Sequence, residues 1–302
     1  MTGRLRWAAA LAAALAACVA GSASAAQRVS VPSPQLASIV LGTSDFAPGA
    51  RLLVEKSTTL GGQPVLFRAF RPGARLGGGP LALAVSVGWL ETDAGAAHSD
   101  FADLQRQTQT KAGRLAIAKD WAIAFVTGGK LKVKSTVVSP PVSLGDGGSR
   151  LALAVSTNLG TLRMAIGFVE MDKGFDVVVI AGGLNQKLAA GDIGRAVSTL
   201  RQHLRGAFTV ASTLAPAIVG TPQQGQPLTV DEGAWNGAPS GFTYVWSRCD
   251  VTGNACTPIE GASANSYVPG VADSGMTIRV AVTGANEVST QQVTSPQSLP
   301  VP

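Results

Sequence analysis

The sequence has few of the side chains on which active sites and metal centres are usually built. Of its 302 residues, two are histidines, three are cysteines and only 14% are charged. Catalytic groups and metal ligands come mainly from His, Cys, Asp and Glu. The two histidines, His98 and His203, are also far apart in the chain, so a histidine-based centre has little to draw on. We therefore expect no cofactor, and a non-catalytic protein is favoured over an enzyme.

The common motifs of nucleotide-binding and serine-hydrolase sites are missing as well. No Gly-x-Ser-x-Gly nucleophile elbow occurs in the chain. The glycine runs at residues 77–79 and 128–129 do not have the spacing of a phosphate-binding loop. The net charge is +6, but the basic residues are scattered and no groove-reading motif accompanies them. The sequence therefore predicts no nucleic-acid partner.

Long hydrophobic runs are absent, and the one apolar stretch of note lies at the start of the chain. No segment has the roughly 18 uninterrupted apolar residues of a membrane-spanning helix. Arg4 and Arg6 instead precede the apolar residues 7–20, and small residues ending in an Ala-x-Ala pattern follow at 23–25. This is the layout of a secretory signal peptide. We expect residues 1–26 to direct export, and the protein to be extracellular or in the cell envelope.

A second interpretation of this segment concerns Cys18. The residues Leu15-Ala16-Ala17-Cys18 resemble a bacterial lipobox, whose cysteine is acylated and becomes the first residue of the mature chain. The Ala-x-Ala run beyond it favours simple cleavage instead. Soluble export and a lipid anchor on Cys18 both stay open.

The other two cysteines, Cys249 and Cys256, form an even pair in a chain with an export signal. Disulfides persist in oxidising compartments, so this pair predicts one disulfide. A metal site is the competing interpretation, but no second cysteine pair and no histidine lies nearby in the sequence.

Charge and periodicity divide the exported chain into two predicted domains. Residues 27–210 contain 20 Lys and Arg against 12 Asp and Glu, a net charge of +8. Residues 211–302 contain 2 against 6, a net charge of −4. The helical period also ends near residue 210. A basic first domain could meet an acidic surface such as anionic lipid or cell-wall polymer.

Three helices are predicted in the first domain. Ser33 and Pro34 form a helix start, and Ser99 is expected to cap a helix over residues 100–111. Asp192 is expected to cap the clearest helix, which Gly206 would end. Its apolar stripe consists of Ile193, Val197, Leu200 and Leu204.

Between these helices the pattern is that of β-strands joined by glycine-rich turns. The high glycine content and the 46% hydrophobic residues suit such a fold. An antiparallel sheet packed by helices, an α+β domain, is therefore predicted for residues 27–210. The expected strands are 51–54, 64–70, 81–90, 115–127, 130–138, 150–156, 160–171 and 174–182.

The second domain shows no helical period, and its short strands alternate with turn signals, as in a small β-sandwich. Phe242, Tyr244 and Trp246 share one strand face and are predicted to form its core, with an exposed binding stripe as the alternative. The segment resembles a bacterial immunoglobulin-like repeat of exported proteins, which implies an adhesive or spacer module. The resemblance rests on Gly220, Pro222, Gly225, Trp235, Tyr244, Trp246, Arg248, Cys249, Cys256, Gly261, Tyr267, Asp273 and Gly275.

The first domain resembles, in layout, exported lipoproteins and sensor domains of high-GC bacteria with the PsbP/Mog1-like α/β/α sandwich. An initial helix precedes the segment from Leu41 to Ala50, and a strand meander with a final helix follows. The resemblance implies a domain that binds an envelope ligand, which is a lipid, a glycan or a protein.

A secreted hydrolase whose active site lies in residues 27–210 is the alternative function. His98, Ser99 and Asp100 bring triad residue types together, but adjacent side chains point apart, so capping is the favoured role of Ser99. His203 is interpreted as a solvated residue near the C-terminal end of the last helix. A carboxylate pair could be hidden among the strand-end residues Glu91, Asp93, Glu170, Asp172 and Asp176.

Overall fold

The structure is a computed structural model, and it divides into two compact units, one up to Ala207 and one from Phe208 onward. The predicted export signal, Cys18 and the glycine runs at 77–79 and 128–129 lie outside the described residues. The structure describes residues 33–46, 48–60, 62–71, 83–117, 132–144, 148–186, 188 and 190–302.

The first unit is built on one antiparallel sheet, which confirms the predicted α+β class. Seven strands follow the order β1-β2-β3-β8-β7-β6-β4, and β5 pairs with β6 beside that path. Most strands that follow one another in the chain are also neighbours in the sheet. However, β8 lies between β3 and β7. The strands are β1 (Arg51–Leu60), β2 (Gln63–Arg71), β3 (Leu83–Leu90), β4 (Val133–Val138), β5 (Val142–Ser143), β6 (Gly148–Thr157), β7 (Thr161–Met171) and β8 (Gly174–Leu184).

Helices pack on both faces of this sheet. The helix α1 spans Pro34–Ile39, α2 spans Ala94–Gln109 and α3 spans Ala190–Phe208. The predicted start of α1 is confirmed, because the Ser33 hydroxyl accepts a hydrogen bond from the Leu36 backbone N–H at 3.1 Å.

The predicted start of α2 is wrong. Asp93 caps the helix by accepting a hydrogen bond from the Ala96 backbone N–H at 2.8 Å, so Ser99 lies inside the helix. A carboxylate caps as well as a hydroxyl does, and the earlier cap adds six residues, about 1.7 turns. Residues 111–117 are also helical. The strand predicted over 115–127 is therefore wrong at its start, and its remainder lies outside the described residues.

Helix α3 begins two residues before the predicted cap and continues past its predicted end. Asp192 lies in the first turn, where its charge still favours the positive end of the helix dipole, and the helix runs through Gly206. A glycine inside a helix costs only about 1 kcal/mol, which the rest of the helix outweighs. The predicted stripe is confirmed as buried: Ile193, Val197, Leu200 and Leu204 are each at most 3% exposed.

The two faces of the sheet have separate apolar layers. On the α2 face, Phe101 packs near Phe168 and Phe175, and Trp89 stacks on Phe175 with ring centroids 4.3 Å apart. On the other face, Gly167 leaves room for Val197 of α3. No helix among the described residues is both long and apolar enough to cross a membrane.

The second unit consists of small antiparallel sheets, so its all-β class is confirmed. The sheets have the orders β10-β11-β15, β12-β9 and β14-β13-β16-β17. The fully buried Trp246 lies in their core with Phe242 and Tyr244 packed against it, which confirms the core interpretation of these aromatics. The strands are β9 (Ala211–Leu214), β10 (Ala217–Val219), β11 (Leu228–Asp231), β12 (Ala234–Asn236), β13 (Gly241–Cys249), β14 (Thr257–Pro258), β15 (Ser266–Tyr267), β16 (Thr277–Ala285) and β17 (Thr290–Thr294).

Cys249 and Cys256, the pair assigned to a disulfide from the sequence, are joined by one in the structure. The bond links the end of β13 to the loop before β14. It therefore closes a short loop and does not connect two sheets.

Candidate functional site

Helix α3 leaves a cleft on each of its two sides, both on the face of the sheet opposite α2. The first, here called the apolar cleft, has a volume of about 540 Å³ and lies over strands β4 to β7. Its size falls within the range of small-molecule binding sites. It is lined by Val137, Ser139, Val142, Arg150, Ala152, Leu153, Ala154, Arg163, Met164, Ala165, Leu188 and Ile193.

The floor of the apolar cleft is made of small side chains on β6 and β7. Ala152 pairs with Ala165 across the two strands, and Ala154 pairs with Arg163. Residues two apart on a strand share a face, so Arg150, Ala152 and Ala154 lie in one row. Because the methyl side chains of the alanines are short, they leave the space above this row of residues open.

The outer wall of the cleft exposes apolar surface. The side chains of Val137 and Val142 are 67% and 44% exposed. Single exposed apolar residues are common, but here they border a concave apolar floor. Contiguous apolar surface of this kind is typical of a binding site.

The only charged side chains in the lining of the described cleft are two arginines. Arg150 pairs with Gly167 at one end of the floor, and Arg163 pairs with Ala154 at the other. Arg150 and Ala154 are four positions apart on β6, about 13 Å along the strand. Both arginines are partly buried residues, and they lie at opposite ends of the apolar floor.

The second cleft, here called the mixed cleft, has a volume of about 700 Å³ and lies between α3 and the segment that follows α1. Asp192 and Arg195 form an ion pair on its α3 side. Its lining combines acidic, basic, hydroxyl and apolar groups, from Leu41, Asp45, Phe46, Pro48, Ile180, Asp192, Arg195, Ala196, Ser198 and Thr199.

His203 connects α3 to the wall of this mixed cleft. Its Nε2 lies 3.3 Å from Asp45 Oδ1, and its Nδ1 lies 3.2 Å from the Val40 carbonyl oxygen. The side chain is only 25% exposed. The interpretation of His203 as a solvated residue is therefore wrong, because the loop after α1 folds over this part of α3.

A buried polar group lies beneath α1. Asp176 on β8 is fully buried, and burial raises the pKa of its carboxyl well above the usual range, although the Ser86 hydroxyl and the Arg68 charge oppose this. Ser86 Oγ lies 3.5 Å from Asp176 Oδ1 and accepts a hydrogen bond from the Leu41 backbone N–H. Among the described residues Asp176 Oδ2 has no hydrogen-bond partner. Burial thus favours the neutral form of the Asp176 carboxyl, which lies inside the protein and lines neither cleft.

The α2 face has one arrangement with catalytic residue types. His98 Nδ1 lies 2.5 Å from Glu170 Oε1, and the carboxylate is 5% exposed while the imidazole is 54% exposed. Glu91, which precedes His98 by seven residues in the sequence, accepts a hydrogen bond from Trp89 Nε1 at 2.8 Å. A buried carboxylate that orients a histidine is one part of a general-base site.

The other candidate carboxylates have structural roles. Asp93 caps α2, and the hydrogen bond from the Ala96 backbone N–H lowers the pKa of its carboxyl. Asp172 lies in the β7–β8 turn with a φ of 52°. Asp176 lies inside the sheet. These three carboxylates therefore occupy three different environments: a helix cap, a turn and the buried sheet.

Comparisons with known proteins add no family: no protein-family model matches the chain, and a search of curated proteins returned no match. The assignment of a site therefore depends on the geometry of the described residues.

Sequence reasoning missed the apolar cleft, although a signal for it exists. Strand β6 alternates Leu151, Leu153 and Val155 on the buried α2 face with a row of one arginine and two alanines on the other. A strand with large apolar residues on one face and alanines on the other predicts a shallow second face. Which element covers that face cannot be derived from the strand itself.

Proposed function

We propose that this is an exported, non-catalytic protein of the cell envelope or the extracellular space, whose first unit binds a ligand. The observation that carries the proposal is the apolar cleft. It lies on a rigid antiparallel sheet, its floor is Ala152, Ala154 and Ala165, and Arg150 and Arg163 stand at its ends. Concave apolar surface with a few fixed polar groups is the usual form of a small-molecule site.

Export is supported by the signal-like residues 1–26 together with the Cys249–Cys256 disulfide. Disulfides form and persist mainly in oxidising compartments. The export signal and the disulfide lie in different parts of the chain and support the same compartment. Anchoring through Cys18 remains part of the proposal as the alternative to a soluble form.

For the second unit we propose an immunoglobulin-like sandwich that acts as a spacer or adhesive module. Short antiparallel strands around Trp246 support this, as does a disulfide that is local to one hairpin region. For the first unit, helices on both faces of an antiparallel sheet support the PsbP/Mog1-like class.

The proposal is tested by producing the full chain in a bacterial host and analysing the protein recovered from outside the cytoplasm. Intact mass gives the mature N-terminus, the acylation state of Cys18 and the disulfide. Native mass spectrometry of the same sample, from intact envelopes, detects a retained small molecule. We expect a processed chain with a bound ligand; an unprocessed cytoplasmic chain with two free thiols would contradict export.

A secreted hydrolase remains the second candidate, because His98 and Glu170 form a close pair. If the pair acts as a general base, ester or glycoside hydrolysis should fall at least 100-fold in His98→Ala, the usual size of a general-base contribution. His203→Ala is the matched control, since it removes the other histidine of the unit. Equal activities in the two variants, or none in the parent protein, would exclude this candidate for the substrates assayed.

A further inference from the structure

We propose that the apolar cleft binds a single-chain anionic amphiphile, with the alkyl chain on the alanine floor and the carboxylate or phosphate headgroup on an arginine at its end. This proposal rests on the proposed function only in taking the first unit as a binding module. It adds the ligand's chemical class and the residues that select it.

The first step concerns the alkyl chain. Ala152, Ala154 and Ala165 form a narrow floor two strands wide, and the outer wall includes Val137 and Val142. Burial of apolar area contributes about 25 cal/mol per Å², and this surface offers few hydrogen-bonding groups to compete. A flexible linear chain fits a row of cross-strand alanine pairs better than a rigid, polar ring system does.

The second step concerns the headgroup. Arg163 is the cation that the headgroup would meet, since Arg150 at the other end of the floor already takes part in another interaction within the protein. The guanidinium group donates two parallel hydrogen bonds to a carboxylate or a phosphate. Because Arg163 is partly buried beside apolar surface, an anion between it and the solvent is less screened than on an open surface.

The third step separates this ligand class from its competitors. A cationic amphiphile would meet the like charge of Arg163, and a neutral one would bring this guanidinium group no gain in charge pairing. A glycan finds its hydroxyl-binding groups in the mixed cleft, where Asp45, Asp192 and Ser198 lie, and not in the apolar cleft. The charge and the apolarity of the apolar cleft therefore indicate one class of ligand.

The test is calorimetric titration of the protein lacking residues 1–26, with each probe below its micelle concentration. Dodecanoate and lysophosphatidate represent the carboxylate and the phosphate headgroup, and they decide between these two sources of negative charge. Dodecanol and dodecyltrimethylammonium are the neutral and cationic comparisons. We expect stoichiometric binding of at least one anion, about tenfold weaker binding of dodecanol and no detectable binding of the cation.

Variants locate the binding. Arg163→Gln should weaken binding of the anion at least tenfold and leave dodecanol binding nearly unchanged. Arg106→Gln is the matched control, because it removes an arginine on α2, on the opposite face of the sheet. Ala152→Phe should abolish binding of every alkyl probe by filling the floor. The melting temperature of each variant checks that it is folded, and the arginine variants keep the test valid if Ala152→Phe is not.

Several outcomes would overturn the proposal. It is wrong if dodecanol binds as tightly as dodecanoate, or if Arg106→Gln weakens binding of the anion as much as Arg163→Gln does. It is also wrong if the protein is a dimer that Ala152→Phe dissociates, since a second copy would then cover the cleft. If an oligosaccharide binds and no amphiphile does, this inference fails while the proposed binding function stands. If the envelope-derived protein retains no small molecule and no probe binds, both fail.

Discussion

The two units each bury an aspartate completely, but they do so in opposite ways. In the second unit, Asp273 accepts hydrogen bonds from Arg248 Nε, the Tyr267 hydroxyl and the Gly270 backbone N–H, at 2.6 to 2.7 Å. In the first unit, the Ser86 hydroxyl at 3.5 Å is the one hydrogen-bond partner of Asp176 among the described residues. The surroundings therefore favour the charged carboxylate in the second unit and the neutral carboxyl in the first.

The direction of the pKa shift follows from this difference. Burial alone would raise the pKa of Asp273, but the hydrogen bonds and the Arg248 charge outweigh it and lower the pKa overall. For Asp176 the burial dominates, and the pKa is raised. The same Asp273 carboxylate, together with burial, raises the pKa of Tyr267 to about 12.

The difference reflects how each unit is stabilised. The first unit has two extended apolar layers, so it can tolerate a poorly paired polar group such as Asp176. The second unit has a core of few residues around Trp246 and adds a polar network and a disulfide. Small domains bury a smaller fraction of their surface and rely on such additional constraints.

The largest effect is expected in the apolar layer of the first unit. Leu200 is fully buried in the α3 stripe, and Leu200→Ala should lower the free energy of unfolding by about 2–5 kcal/mol through the lost burial and the resulting cavity. Gln202→Ala, two residues further on and exposed, should change it by less than about 0.5 kcal/mol. Denaturant midpoints measure both. Equal shifts would show that the stripe does not face a core.

The next largest effect on stability is expected from removal of the Asp273 carboxylate in the second unit. Asp273→Asn should destabilise that unit by about 2–3 kcal/mol at pH 7, because hydrogen bonds to a charged group are lost and Arg248 loses its partner. The pKa of Asp273 is lowered on folding, so its contribution is present above the ordinary pKa of 3.8 and is lost as the pH falls. Calorimetry should therefore show the variant and the parent converging in acid. Glu260→Gln, an exposed change in the same unit, should have no such effect.

The disulfide should have an effect of similar size confined to the second unit. Opening the Cys249–Cys256 loop, by reduction or by replacing both cysteines with serine, should lower the free energy of unfolding by about 2.5 kcal/mol, as loop-closure entropy predicts. The calorimetric transition of the first unit should stay in place. A loss of both transitions together would mean that the units do not unfold independently.

The sequence predicted best where one local signal was sufficient. The i, i+4, i+7 stripe of α3 and the aromatic face around Trp246 each depend on nearby residues only. Helix starts were predicted less well, because Asp93 and Ser99 are both good caps and the choice between them depends on packing.

The candidate site could not be predicted because its parts meet only through the sheet order. Arg150 and Arg163 are on different strands, and Leu188 approaches them from outside the sheet. The insertion of β8 beside β3 decides which strands α3 covers and which it leaves open. Neither the order of the strands nor the position of α3 on them can be derived from the residues that form the cleft.

The smallest effect is expected for the buried neutral aspartate, and it has the opposite sign. In Asp176→Asn the side chain has no charge at any pH, so the variant avoids the penalty of ionising a buried carboxyl. The pKa of Asp176 is raised on folding, so the contribution of this residue to stability is greatest below the ordinary pKa of 3.8 and falls as the pH rises. The variant should match the parent in acid and become more stable than it, by about 1 kcal/mol or more, toward pH 8.

Unfolding of the two proteins between pH 3 and pH 8 measures this difference directly, and the slope with pH matters more than the value at one pH. A variant that is less stable than the parent by a constant amount would show that folding does not raise the pKa of Asp176.

Ser86→Ala is the companion change. It removes the hydroxyl that approaches Asp176 Oδ1 and accepts a hydrogen bond from the Leu41 backbone N–H. It should destabilise the protein by about 1 kcal/mol and steepen the fall in stability with pH, since the carboxylate then loses its hydrogen-bond donor. Opposite pH slopes for Asp176→Asn and Asp273→Asn within one chain would establish that the partners of a buried carboxyl, and not burial alone, decide its charge.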